Sequence, residues 1–317
     1  MRKLFVVIVT YNGEKWIKKC ISSIYNSTIS TNVIIVDNGS TDNTISIIKN
    51  EYKNVELIIS NSNLGFGKAN NIAIKLALDR GADYIYLLNQ DAWVEKDTFS
   101  LLIESMEKHP EYGIVSPIHL TGDGHNVDAN FYSLSLARDK VPNILNDYIT
   151  NNVKDIYDTY FVMAAHWMLK RSTIEKIGYF SSAFPHYGED ENYIQRVHHW
   201  KLKVGIVSRA FAYHDREFRQ DSPQKMVYLQ YIIFLTILHD IDETSWEMRS
   251  KWFLRIFIRI MRIRNVSIKY KIKILVKAYS SIYKSRKYRI KYKQPNYPNE
   301  QIKECLTIFN NLKKNKN

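Results

Sequence analysis

Apolar and polar positions follow two periods along the first ninety residues. Leu4–Val9, Val33–Val36, Val55–Ile59 and Tyr84–Leu88 are short runs rich in β-branched and other apolar residues, the pattern of strands covered on both faces. Between them the spacing turns helical. Trp16, Ile17, Cys20, Ile21, Ile24 and Tyr25 share one face of Glu14–Tyr25. Ser40-Thr41-Asp42 offers an N-cap before Ile45, Ile48 and Tyr52. Gly67–Arg80 sets Ala69, Ile72, Ala73, Leu76 and Ala77 on one side and is closed by Gly81. The β-α-β-α-β-α-β order predicts an α/β fold with a mostly parallel sheet and helices on both faces.

Periodicity is weaker from 116 to 158, which reads as irregular structure and a mobile loop over the site. Tyr160–Leu169 fits a buried strand or a buried helix. Thr173–Ile177 reads as a short helix stopped by Gly178, and Ile194, Val197 and His198 as a helix with Glu189-Asp190-Glu191 at its N-terminus, where the macrodipole favours anions. Lys203–Val207 and Phe211–Tyr213 read as two short strands. From Gln224 the pattern is helical only. In Trp252–Ile263 a stripe of Lys251, Arg255, Arg259 and Arg262 borders a broad apolar surface, which suits a helix lying in a membrane surface and equally a helix packed on the body. The expected organisation is a catalytic domain over 1–220 and a basic amphipathic helical region over 221–317. Asn310–Asn317 reads as frayed.

Charge sharpens that division. The net charge is +13, but Lys225–Asn317 holds 21 Lys/Arg against 6 Asp/Glu, leaving the rest of the chain slightly acidic. Such a tail suits an anionic partner, with a membrane surface favoured over nucleic acid because its helices also carry apolar faces. Two cysteines, Cys20 and Cys305, exclude a disulfide framework and point to a reduced compartment. No leader is expected from Arg2-Lys3 and the short run after it, and no stretch is long and apolar enough to span a bilayer. The expected location is the cytoplasm, peripheral at the inner face of the cell membrane.

The candidate chemistry lies just after the strands. Thr10-Tyr11-Asn12, Asp37-Asn38-Gly39-Ser40, Ser60-Asn61-Ser62-Asn63 and Asn89-Gln90-Asp91 all fall at carboxyl ends, the edge where open α/β sheets bind ligands. Gly65-x-Gly67 lacks the third glycine of a dinucleotide fingerprint and does not follow the first strand. No Walker A sequence is present.

Four blocks resemble glycosyltransferase family 2, the inverting enzymes of the GT-A fold. They are Val7–Asn12, Ile35–Asp42, Asn63–Asn71 and Tyr187-Gly188-Glu189-Asp190 with Arg196 downstream. The resemblance implies transfer of a sugar from a UDP- or dTDP-sugar to a hydroxyl of a glycan or lipid-linked saccharide, as in the synthesis of a capsule or another cell-surface polysaccharide. It implies Asp190 as general base, with Glu189 or Glu191 as the fallback. Asp91 would ligate a divalent cation, Mn2+ or Mg2+, and His214 would be its second protein ligand. Asn89 stands where relatives carry the first Asp of Asp-x-Asp, so the site has one negative charge fewer and is expected to hold metal more weakly. Thr10, Asn12, Asp37, Asn63, Lys68 and Asn89 are the implied nucleotide contacts, with Asp37 on the base. His166 and Trp167 are the implied acceptor contacts. Two other readings compete. A nucleotidyltransferase would need a basic glycine-rich loop after the first strand, where Thr10-Tyr11-Asn12-Gly13 stands. A nucleic-acid-binding protein would rest on the tail alone.

Overall fold

The computed structural model describes residues 2–137, 139–216, 221–242 and 245–294, together with Lys303 and Thr307; Cys305 and Asn310–Asn317 lie outside the described residues. The chain runs β1 (Leu4–Thr10), α1 (Ile17–Tyr25), β2 (Thr31–Asp37), α2 (Thr44–Glu51), β3 (Glu56–Ile59), α3 (Phe66–Asp79), β4 (Tyr84–Asn89), β5 (Ala92–Val94), α4 (Thr98–Lys108) and β6 (Tyr112–Thr121). It continues through α5 (Ala129–Phe131) with a π-helical turn at Tyr132–Leu136, then α6 (Ile144–Ile149), β7 (Ile156–Thr159), β8 (His166–Lys170), α7 (Arg171–Ile177), α8 (Glu189–His199) and β9 (Lys203–His214). Three long helices follow, α9 (Pro223–His239), α10 (Trp246–Arg262) and α11 (Ile268–Tyr292).

One sheet holds the strands in the order β3-β2-β1-β4-β8-β6-β9-β5, with β7 also paired to β9. The β3-β2-β1-β4 half is parallel, as the alternation predicts, and β8 joins it antiparallel. Alternate residues of one strand enter opposite cores: Phe5 and Val7 pack with α3, while Leu4, Val6 and Ile8 pack with α1. That two-sided burial is why these strands read as apolar runs.

Two expectations are corrected. The 116–158 stretch is built, not irregular: β6 continues to Thr121, and helices and β7 follow. Its order comes from hydrogen bonds that periodicity does not reveal. The Asp128 carboxylate accepts from Phe131 N at 2.7 Å, Tyr157 donates to Asp147 at 2.9 Å, and Thr159 donates to the Ser135 carbonyl at 2.9 Å. The two short strands expected near 203–213 are one strand, β9. Its register with β6 slips between Ile206 and Phe211, so its first part pairs with β7 and its end with β5. Gly205 is required there, because a Cβ would lie 2.4 Å from Ile156 Cδ1.

The C-terminal helices start at Ser222, Ser245 and Ser267, each of whose side chains accepts a hydrogen bond from the backbone N–H three residues on. They share a core of Val227, Tyr231, Phe234, Leu235, Ile256, Ile260, Ile274 and Ala278. On α10, Ile256 and Ile260 face this core while Leu254, Phe257, Ile258 and Met261 are exposed. The helix therefore both packs on the protein and keeps an apolar strip outside. No described helix is long and apolar enough to cross a membrane. Tyr292 ends α11 and is buried. Its hydroxyl donates to Ser181 Oγ at 2.6 Å, and its ring lies 5.2 Å from the Arg196 guanidinium.

Candidate active site

Parallel register aligns the strand ends: Thr10 pairs with Asp37, Asp37 with Ile59, and Val9 with Asn89. Backbone and side chains then stitch the loops together. The Asp37 carboxylate is fully buried and accepts four hydrogen bonds, from Gly39 N, Ser40 N, Ser40 Oγ and Thr10 Oγ1, at 2.5–3.0 Å. Asn12, at φ +49°, donates its N–H to Ser40 Oγ and accepts from Thr41 N. Gln90 brackets Tyr11, accepting from its N–H at 2.8 Å and donating to its carbonyl at 3.1 Å. Thr10, Asn12 and Asp37 are thus tied through Ser40 into one hydrogen-bonded cluster at the strand ends. A base could reach Asp37 only by displacing one of its four donors. Asn63 is exposed, and Lys68 lies half-exposed in the first turn of α3.

The Asn89–Asp91 loop meets the end of β9. Asp91 Oδ1 lies 3.4 Å from His214 Nε2, and the Asn89 amide nitrogen lies 3.5 Å from the same nitrogen. The Asp215 N–H donates to the Asp91 carbonyl at 2.8 Å, which fixes this meeting. Burial raises the Asp91 carboxyl, but the His214 hydrogen bond and charge outweigh it and the net shift is downward. His214 is buried with Nδ1 unpartnered. No group of three or more His, Cys, Asp or Glu suited to a metal occurs among the described residues. Asp91 and His214 are the two side chains at this meeting that could reach one cation, with the remaining positions left to substrate oxygens and water.

The acidic trio heads α8. Gly188 (φ +81°) precedes it, and a Cβ there would meet Ile232 Cγ2 at 2.8 Å and Thr236 Cγ2 at 2.9 Å, so α9 clamps the turn. Glu189 is 6% exposed, packs beside Gly67, and its Oε2 has no hydrogen-bond partner. Burial, with the neighbouring Asp190 charge, pushes its carboxyl up to about 8. The α8 dipole opposes this, but such a contribution is at most about 2 kcal/mol. Burial wins. Asp190 is partly exposed and also raised by burial, with hydrogen bonds from the backbone N–H groups of Glu191 and Ala164 and the Arg216 charge acting against the rise. The next residue, Ala165, accepts from Asn89 N at 3.1 Å, so one segment touches both the base candidate and the Asn89–Asp91 loop.

The acceptor expectation is corrected. Trp167 is fully buried, donates to the Val162 carbonyl and stacks on Phe180 at 6.0 Å. His166 is fully buried between the Tyr86 hydroxyl at 2.9 Å and the Tyr213 carbonyl at 3.1 Å. Pairing of β8 with β4 turns both into the core, so neither meets an acceptor.

Sequence reasoning missed Arg216. Its Nε donates to the buried Asp128 carboxylate at 2.9 Å, and one terminal nitrogen lies 3.0 Å from Met163 Sδ. This anchored guanidinium follows His214 by two residues and acts electrostatically on both Asp91 and Asp190. Its only signal in the sequence was a cation close behind His214.

Comparison with known proteins agrees with the fold. The family described as glycosyl transferase family 2 matches residues 5–178. The chain is 38% identical over 106 residues to an Escherichia coli chondroitin synthase, a match covering 32% of this chain and 15% of that protein's length. It is 23% identical over 272 residues to a Mycobacterium tuberculosis N-acetylglucosaminyl-diphospho-decaprenol L-rhamnosyltransferase, covering 79% of this chain and 88% of that one. Among solved structures, S. aureus TarS 1-349 in complex with UDP-GlcNAc superposes with a TM-score of 0.55 at 17% identity, over 99% of this chain and 92% of that one.

Proposed function

The chain belongs to glycosyltransferase family 2, and from that premise we propose that it transfers a sugar, with inversion, from a UDP- or dTDP-sugar to a hydroxyl of a glycan or lipid-linked saccharide in cell-surface polysaccharide synthesis. The observation that most supports this is the meeting of Asp91 and His214 at 3.4 Å beside Asn89, with Asp190 held against the Ala164–Ala165 segment that bonds the same loop.

Asp91 and His214 would hold a divalent cation, which when bound neutralises the charge gathering on the leaving diphosphate. Asn63 and Lys68 reach the nucleotide from the head of α3, and Asn89 reaches its ribose. Burial raises both carboxyls, and Glu189, pushed up to about 8, is the member of the pair that holds its proton at neutral pH. Asp190 takes the proton from the acceptor hydroxyl. Residues 1–220 carry this chemistry. The basic region 221–317 rests on an anionic membrane through α10, with Leu254, Phe257, Ile258 and Met261 towards the lipid and Lys251, Arg255 and Arg259 at the headgroups.

Thermal shift with UDP, dTDP, GDP and CMP, each with and without manganese, tests the donor site. Metal-dependent stabilisation by UDP or dTDP is expected. Asp190→Asn should abolish transfer and keep that shift. No shift with any nucleotide sinks the donor assignment. For the membrane, truncation is a poor test because it would unpack the α9–α11 core, so Leu254→Glu with Phe257→Glu is the better variant. It should release the protein from anionic liposomes, and unchanged binding refutes that part.

A further inference from the structure

Tyr187 is a non-glycine residue held at φ +66°, directly before Gly188 and the acidic trio. A tyrosine holds that left-handed backbone under strain, where glycine or asparagine would sit more easily. Burial does not repay it, because the side chain is 39% exposed. Its ring lies 3.9 Å from that of His186, and Lys225 Nζ stands 5.4 Å over it from α9. One turn along α9, Tyr228 donates to the His186 carbonyl at 3.3 Å. From α11, Lys277 Nζ lies 5.7 Å over Tyr228 and 4.7 Å over Tyr231. Lys225 is paired with Asp221 at 2.6 Å, whereas Lys277 has no acidic partner among the described residues. Burial and the charges of Lys273 and Lys284 lower its ammonium. An anion placed there would relieve that repulsion. A track of aromatic faces and cations therefore leads from the turn that carries Asp190 to the face shared by α9 and α11.

We propose that Lys225 and Lys277, with the rings of Tyr187 and Tyr228, form an acceptor subsite for a saccharide carried on a diphosphate. The sugar rests on Tyr187 beside Asp190, and the diphosphate sits between the two lysines. This rests on the acceptor side of the transferase reading and adds the chemical class of the acceptor's leash. Lysines bind phosphate as point charges, and aromatic rings take the apolar face of a pyranose.

Farnesyl diphosphate is the first probe. The full chain is titrated calorimetrically with it while UDP and manganese are saturating, so the donor site is filled. Wild type should bind at least tenfold more tightly than Lys225→Ala with Lys277→Ala, and the UDP thermal shift of that variant should match wild type. Equal affinity overturns the proposal, as does no binding by wild type. Loss of the UDP shift in wild type would instead indict the donor reading. Phosphatidylglycerol vesicles separate the sources. If they bind in a manner dependent on both lysines and farnesyl diphosphate does not, the lysines serve general lipid headgroups and the assignment fails. N-acetylglucosamine 1-phosphate then tests the ring. Tyr187→Asn, which tolerates the left-handed backbone, should weaken it severalfold and leave inorganic pyrophosphate unchanged. Equal binding of the sugar phosphate removes Tyr187 from the subsite.

Discussion

Glu189→Gln separates the two carboxyls of the Glu-Asp pair. Glu189 is buried, and its carboxyl rises from 4.5 to about 8. In the unfolded chain it ionises near 4.5, while in the folded chain it holds its proton until about 8. The native state thus binds the extra proton across this window, and stability falls as pH rises from about 4.5 to about 8. At about 1.36 kcal/mol per pKa unit, the full effect is bounded near 5 kcal/mol. Part of the shift is the Asp190 charge, and the pair titrates together, so we expect roughly 2–3 kcal/mol between pH 5 and pH 8. Glutamine keeps the shape and cannot ionise. Urea unfolding at pH 5, 6.5 and 8 should show the variant gaining on wild type as pH rises and exceeding it at pH 8, while Glu191, itself raised to about 7 by burial, leaves a shallower downward slope in both. The variant should also retain transfer within about tenfold at pH 7, because Asp190 does the proton transfer. A wild-type slope preserved in the variant, or a variant less stable at pH 8, would refute the claim that Glu189 is neutral in the fold.

Three further outcomes follow from geometry. Arg216→Ala should weaken the thermal shift from UDP by about tenfold in affinity while leaving that from uridine untouched, and equal losses for both would assign Arg216 a structural role. Asp91→Asn and His214→Ala should each remove the manganese dependence of the UDP shift, and dependence kept in both would dismiss the pair as ligands. Gly65→Ala should cost more than about 2 kcal/mol in urea unfolding, because Gly65 has φ +81° and its Cβ would lie 2.5 Å from the Pro185 carbonyl oxygen; a loss below about 0.5 kcal/mol would show that the α3 entry can move.

The first four strands and their helices were legible because each buries both faces locally, so composition and period report directly on structure. Polar clusters were legible as a candidate site for the same reason: they stand where the apolar runs stop. Elsewhere the information is long-range. Tyr157 needs Asp147, and Thr159 needs the Ser135 carbonyl, before the 116–158 stretch takes shape. Trp167 looked like an acceptor platform beside the motifs, yet pairing opposite Leu87 turns it inward. Arg216 gained meaning only when the end of β9 met Asp128 and Met163. Period also could not tell that Ile256 and Ile260 of α10 pack on the body while Leu254, Phe257, Ile258 and Met261 stay exposed on the same helix.

The Tyr292 contact has a bearing on synthesis. Ser181 and Tyr292 are 111 positions apart, and the ring also covers Arg196 in the helix that carries the base candidate. At about 5–20 residues per second, a ribosome needs roughly 5–20 s to travel that interval. Once β9 has followed, the sheet is fully translated while α8 still lacks its last cover, and until α9 emerges the turn at Gly188 lacks its clamp. A nascent chain would hold nearly all its catalytic side chains before it could use them, and activity would switch on only as the end of α11 leaves the exit tunnel.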